Sequence, residues 1–85
     1  MATAAITMYS TAWCGDCVRL KSGLTRAGVV FDEIDIESDA DAVEFVMSAN
    51  GGNQTVPTVV FADGVVMGEP TTRQVLDHLA AMGAA

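Results

Sequence analysis

The stretch TMYSTAWCGDCVRL, residues 7–20, holds both cysteines of the chain, separated by Gly15 and Asp16. It decides the fold because the hydrophobic period changes within it. Upstream, AAITMYS (residues 4–10) alternates Ile6 and Met8 against Thr7 and Tyr9, with Ala4 on the first face, which predicts a strand. Downstream, across residues 14–27, Cys17, Leu20, Leu24 and Ala27 recur at intervals of three and four, and Gly28 supplies a stop, which predicts a helix. Cys17 then falls on the buried stripe, while Cys14 is expected at the helix's first residue, near solvent.

Working outward, VVFDEIDI (residues 29–36) is rich in β-branched residues and predicts a second strand, and so compact a strand-helix-strand run favours a right-handed parallel crossover. A second helix is expected after Ser38, with Asp41 completing a capping box, Asp39 and Asp41 at its positive end, and Ala42, Phe45, Val46 and Ala49 facing inward. NGGN (residues 50–53) ends it. PTVVFADGVVMG (residues 57–68) predicts an antiparallel hairpin around Asp63-Gly64, a pair suited to positive φ. The last helix is expected to start near Thr71, with Gln74 at capping-box spacing, and to bury Val75, Leu76, Leu79 and Met82, leaving residues 83–85 as a frayed tail. The expected architecture is therefore one α/β domain over residues 1–85, in the order β-α-β-α-β-β-α. Its four-stranded mixed sheet has helices on both faces.

Composition narrows the chemistry. Four Lys and Arg against 11 Asp and Glu give a net charge of −7, and with no basic run there is no footprint for a phosphate backbone, so nucleic acid is not an expected partner. No apolar run approaches the roughly 18 residues that span a bilayer, and MATAAITMY lacks the basic start and long apolar core of a secretory signal. A cytoplasmic monomer, with its cysteines reduced at rest, is the expectation. A bridge between positions 14 and 17 would close a very small loop and constrain little of the unfolded chain, so the pair suggests chemistry rather than stapling.

That chemistry follows from position. The thiolate is the nucleophile of thiol-disulfide exchange, and a cysteine at a helix N-terminus has its anion favoured by unpaired backbone N–H groups and the helix dipole. Cys14 has that location. A stabilised thiolate gains little in attack, because its nucleophilicity falls along with its basicity; the larger gain comes when Cys14 departs from a mixed disulfide. Cys17, one turn on, can close an intramolecular disulfide, or a small thiol can attack the mixed disulfide directly and leave Cys17 dispensable. Zinc is the structural alternative, but it wants four ligands, and His78, expected as an ordinary helix-surface residue, is the only histidine. No bound metal is expected.

WCGDC after a strand, followed by TVPT (residues 55–58) before a hairpin, resembles the thioredoxin superfamily, and the short length resembles its glutaredoxins. The resemblance covers essentially the whole chain and implies the thioredoxin-like fold, with Cys14 as nucleophile and Cys17 as resolving thiol. It also implies a cis Val56-Pro57 bond facing Cys14, and a Val56 backbone that pairs with substrate as a strand would. Trp13 is then expected to flank the cleft as a flat apolar contact, and Thr55 to hydrogen-bond a bound thiol or to favour an extended backbone.

Within the superfamily, many glutathione-linked members carry Pro-Tyr between the cysteines and a Gly-Gly-x-x-Asp segment after the hairpin. Here those stretches are GD and GEPTT (residues 68–72). WCG-x-C-x-RLK, with EFV-x-S-x-NGGN-x-TVPTV-x-FADG, is instead similar to the mycoredoxins, which reduce mixed disulfides between proteins and mycothiol. That similarity implies no bound cofactor. It implies mycothiol as reducing co-substrate, with glutathione disfavoured, and as partners thiolated or oxidised proteins and an NADPH-dependent mycothiol reductase. A dithiol donor to ribonucleotide reductase, recycled by thioredoxin reductase, is the competing enzyme reading, and a CxxC metal-binding module the non-enzymatic one. Asp16 stands where mycoredoxins usually carry an aromatic residue, and its carboxylate is expected to oppose a second negative charge on Cys14. Arg19 and Lys21 match the mycoredoxin pattern, as support for the thiolate, a hold on anionic substrate, or solvated surface.

Overall fold

The computed structural model describes residues 4–83 and arranges them as β1 (Ile6–Ser10), α1 (Gly15–Arg26), β2 (Phe31–Asp35), α2 (Ala40–Ala49), β3 (Thr58–Phe61), β4 (Val66–Gly68) and α3 (Thr72–Ala81). The expected tail falls partly on residues 84–85, outside that range. The sheet order is β2-β1-β3-β4, with β1 parallel to β2 and the remaining pairs antiparallel. This is the mixed sheet and thioredoxin-like fold that the element order predicts.

Alternation in β1 divides the interior. Ile6 and Met8 point to one face, where α1 and α3 cover them with Leu20, Leu24, Val75 and Leu79, joined by Val59 and Phe61 of β3. Tyr9 and Ile34 lie against a smaller cluster on the other face, built from Ile36, Ala42 and Val46. Helices α1 and α3 approach closely at Gly23. A Cβ at that position would meet the Thr72 side chain, so only the missing side chain lets the helices pack at this distance.

Local signals explain most boundaries. Helix α1 ends in a Schellman motif, with Val29 N–H donating to Leu24 O at 2.9 Å, Gly28 N–H donating to Thr25 O at 3.1 Å, and Gly28 at φ 78°. Ala27, expected on the buried stripe, is instead the exposed C-cap. Helix α3 has the expected capping box: Gln74 N–H donates to Thr71 Oγ1 and Thr71 N–H to Gln74 Oε1. Its buried face is narrower than expected, Val75 and Leu79, with Leu76 and Met82 half-buried.

The second helix departs from expectation. Residues Ile36–Ser38 form a 3₁₀ turn capped by Asp35, so the chain leaves it one residue later and Asp39, not Ser38, caps α2 through Asp41 N–H and Ala42 N–H. The inward face shifts accordingly. Ala42 and Val46 are buried with Val43 half-buried, whereas Ala49 is exposed and Phe45 lies on the outside with its ring 5.0 Å from that of Tyr9. In the hairpin, Phe61 pairs with Val65 and Gly64 N–H donates to Phe61 O, leaving residues 62–64 as the loop, with positive φ at Gly64 alone. Asp63 contributes through its side chain instead, accepting from Val65 N–H at 3.0 Å. Among the described residues no helix is long and apolar enough to cross a membrane.

Candidate active site

Because β3 runs antiparallel to β1, the start of one meets the end of the other, with Tyr9 opposite Thr58. The loop leaving β1 and the loop entering β3 therefore converge, and they carry Cys14 and Val56-Pro57. The Val56-Pro57 bond is cis, as the resemblance implies. Cys14 Sγ lies 3.7 Å from Val56 O, a long sulfur-donated contact across 42 positions of chain.

Cys14 is the N-cap of α1 rather than its first helical residue: its backbone is extended and its sulfur accepts Cys17 N–H at 3.0 Å. That bond satisfies one of the helix's orphan donors and favours the anionic sulfur over the thiol. It also turns the side chain inward against Val56. Cys14 is consequently only 7% exposed, more covered than the near-solvent position expected for it, though not sealed, while Cys17 is fully buried on the predicted stripe. Both thiols are free. Burial above all, and then the hydrogen bond with Cys14, push the Cys17 thiol up to about 12, against a backbone hydrogen bond at Thr11 and the Lys21 charge. One cysteine thus stands at the mouth of the site with donors aimed at it, and its neighbour is held protonated beneath.

The flanking residues divide. Trp13 is 71% exposed and donates its indole N–H to Glu37 Oε2 at 3.1 Å, so it stands off the surface beside the cleft rather than covering the sheet edge. Thr55 uses its carbonyl to accept the Thr58 hydroxyl at 2.7 Å, and Thr58 Oγ1 accepts Asn50 Nδ2, which also donates to Val46 O. That chain of bonds ties the end of α2 to the proline loop. Asp16 is exposed and paired with Arg19 at 2.7 Å, so the carboxylate expected to oppose Cys14 has a guanidinium answering it. Lys21 is half-buried against Glu33 at 3.0 Å. His78 is not a solvated surface residue: it bonds Asp63 at 2.9 Å and meets Phe61 edge-on, tying α3 to the hairpin turn.

Sequence reasoning missed Ser10 and Glu33. Ser10 shares the buried face of β1 with Ile6 and Met8, and a hydroxyl there needed a partner; Glu33 of the neighbouring strand accepts it at 2.6 Å. This bond, ahead of Lys21, holds the Glu33 carboxyl below its usual range. A lowered native value means stability that is present above the unfolded glutamate value of about 4.3 and lost as pH falls through the native one. Ser10→Ala should therefore lower the thermal midpoint at about pH 6 and cost progressively less as pH approaches about 3. A midpoint difference that stays constant across this range would contradict the assignment.

From Pro57 a groove of about 510 Å³ runs between α1 and the N-terminus of α3, bordered by Asp16, Arg19, Glu69, Thr71 and Arg73. Its size suits a small molecule. Glu69 has φ 50° and donates its N–H to Pro57 O at 2.7 Å, which joins this border to the proline loop.

Comparison with known proteins accords with this geometry. The glutaredoxin family model matches residues 6–67. The chain is 55% identical over 75 residues to a Mycobacterium tuberculosis protein named for the glutaredoxins, covering 88% of this chain and 89% of the relative. It is 39% identical over 77 residues to mycoredoxin 1 of Corynebacterium glutamicum, covering 91% of this chain and 95% of that protein. Among solved structures, a glutaredoxin from Archaeoglobus fulgidus superposes with a TM-score of 0.72 at 28% identity, over 89% of this chain and 86% of the other. With its CxxC pair inside the matched span, the chain belongs to the glutaredoxin family of thiol-disulfide oxidoreductases.

Proposed function

We propose that this glutaredoxin reduces mixed disulfides between proteins and a low-molecular-weight thiol, mycothiol in preference to glutathione, with Cys14 as nucleophile and Cys17 as an auxiliary resolving thiol. The observation that carries the reading is the asymmetry of the pair. Cys14 receives the Cys17 amide N–H beside the Val56 carbonyl, whereas the Cys17 thiol is buried and pushed up to about 12. An attacking group and a reserve are distinguished by their surroundings alone.

The steps balance as follows. The Cys14 thiolate attacks the small thiol's sulfur, an S–S bond forms between them, and the protein's sulfur leaves with the electron pair and takes a proton. A second small thiolate then attacks the sulfur held on Cys14, forming the oxidised small-thiol dimer and releasing the Cys14 thiolate. A reductase using NADPH returns the dimer to thiol. Val56, Pro57 and Thr55 form the ledge along which substrate lies, and Trp13 is an apolar wall beside it. The alternative exit is closure by Cys17. Two of the influences that hold Cys17 protonated come from Cys14 itself, and both weaken once the Cys14 sulfur is committed to a disulfide.

Mycothiol rests on the WCG-x-C-x-RLK and TVPTV similarity and on the 39% identity to mycoredoxin 1. The reading carries with it a reducing compartment, the cytoplasm, where both thiols stay free between turnovers. The test supplies NADPH with mycothiol and its reductase, with glutathione and its reductase, or with thioredoxin reductase, and follows NADPH consumption on a thiolated protein. Turnover is expected with the mycothiol system. Sustained turnover with only one of the others would overturn the assignment, thioredoxin reductase pointing instead to the dithiol-donor role.

A further inference from the structure

The groove that starts at Pro57 is unevenly charged. Arg19 is engaged by Asp16 at 2.7 Å and Arg73 by Asp77 at 3.5 Å, each within its own helix. Glu69, on the opposite border, has no cationic partner within 4.0 Å among the described residues. The Thr71 and Gln74 amides at the start of α3 are consumed by the capping box. A carboxylate entering this groove would have to displace Asp16 or Asp77 to reach a guanidinium, and would face Glu69 throughout. An ionised carboxylate only accepts hydrogen bonds, so the ligand that suits Glu69 brings hydroxyl or amide donors and no negative charge of its own.

We infer that Glu69, supported by Asp16, sets the specificity of this groove, favouring uncharged, donor-rich thiols and rejecting thiols that carry a carboxylate. This rests on the mixed-disulfide reading and names the residues that would decide which thiol is accepted. The effect is Coulombic across a wet groove. It should therefore be a factor of about three to ten, weakened by salt.

A fluorogenic cysteine peptide, prepared as its mixed disulfide with 1-thioglycerol or with 3-mercaptopropionate, tests this with probes of similar size and different charge. Single-turnover release of the peptide thiol is measured with the full chain, and each rate is divided by that of the same disulfide with free dithiothreitol. The native protein should favour the thioglycerol disulfide about three- to tenfold, and the ratio should move toward unity in about 0.5 M NaCl. Glu69→Gln should remove most of the preference and Glu69→Lys should reverse it. Both variants are at an exposed position. Asp16→Asn, by freeing Arg19, should shift the ratio the same way. A native ratio near unity, or one indifferent to Glu69→Lys and to salt, overturns the inference while leaving mixed-disulfide reduction standing. Failure to react with either probe, with protein disulfides still reduced, overturns both.

Discussion

Cys14→Ser is expected to lose turnover on every disulfide by about 10³-fold or more, whereas Cys17→Ser should keep most of its rate on mixed disulfides and lose the reduction of intramolecular protein disulfides. The difference follows from where the sulfurs lie. At position 14 a hydroxyl in place of sulfur would still cap α1 by accepting the position-17 N–H, so the fold is retained while the nucleophile is gone. Position 17 is fully buried, and its thiol, pushed up to about 12, holds only a minute fraction of thiolate near neutral pH. Its removal takes away the closing step, which depends on the high effective concentration of a tethered thiol, but not the route in which a second small thiol attacks. Cys17→Ala serves as the control for placing a hydroxyl in an apolar site. Parallel assays on a thiolated protein and on a disulfide-bonded one decide the matter. Equal loss on both substrates in Cys17→Ser would make the dithiol route obligatory.

Leu24→Ala should be the most damaging of the conservative core substitutions. Leu24 is fully buried on the larger of the two apolar faces, between α1, α3 and the sheet. Removing its isobutyl group costs about 2–5 kcal/mol in transfer and cavity terms, a large share of the roughly 4–13 kcal/mol that a chain of this length can muster. The thermal midpoint should fall by about 10–25 °C. Phe45→Ala removes a larger side chain, yet Phe45 is 37% exposed and packs chiefly on Tyr9, so the drop there should be smaller. Melting curves followed by far-UV circular dichroism compare the two. An equal or greater loss for Phe45→Ala would mean that the weight of the core lies on the α2 side.

What could be read from residues alone was whatever is decided within a turn or two of chain. The Thr71 and Gln74 cap, the Gly28 stop, the alternation of Ile6 and Met8, and the placement of Cys17 on the buried stripe are all of that kind. Where two adjacent residues could do the same work, local signals did not discriminate. Ser38 and Asp39 are both good caps, and the 3₁₀ turn started by Asp35 decided between them. The remaining differences are long-range. The cover over Cys14 comes from Val56, the partner of Trp13 is Glu37, and His78 is drawn to Asp63; no period or motif announces such pairs. Cys14 and the TVP segment were identifiable because their resemblance to a family spans both, whereas the uncompensated Glu69 became visible only when the groove brought α1 and α3 together.

Trp13, the single tryptophan, is held by Glu37 one residue before the reactive sulfur, and this makes the protein its own optical probe. Oxidation or thiolation at Cys14 changes the charge and the quenching groups beside the indole, so each chemical event should register as a change in intrinsic emission. Rapid-mixing records of the unlabelled wild-type chain could then time attack and release separately, with Glu37→Gln reporting how much of the signal depends on the indole being anchored.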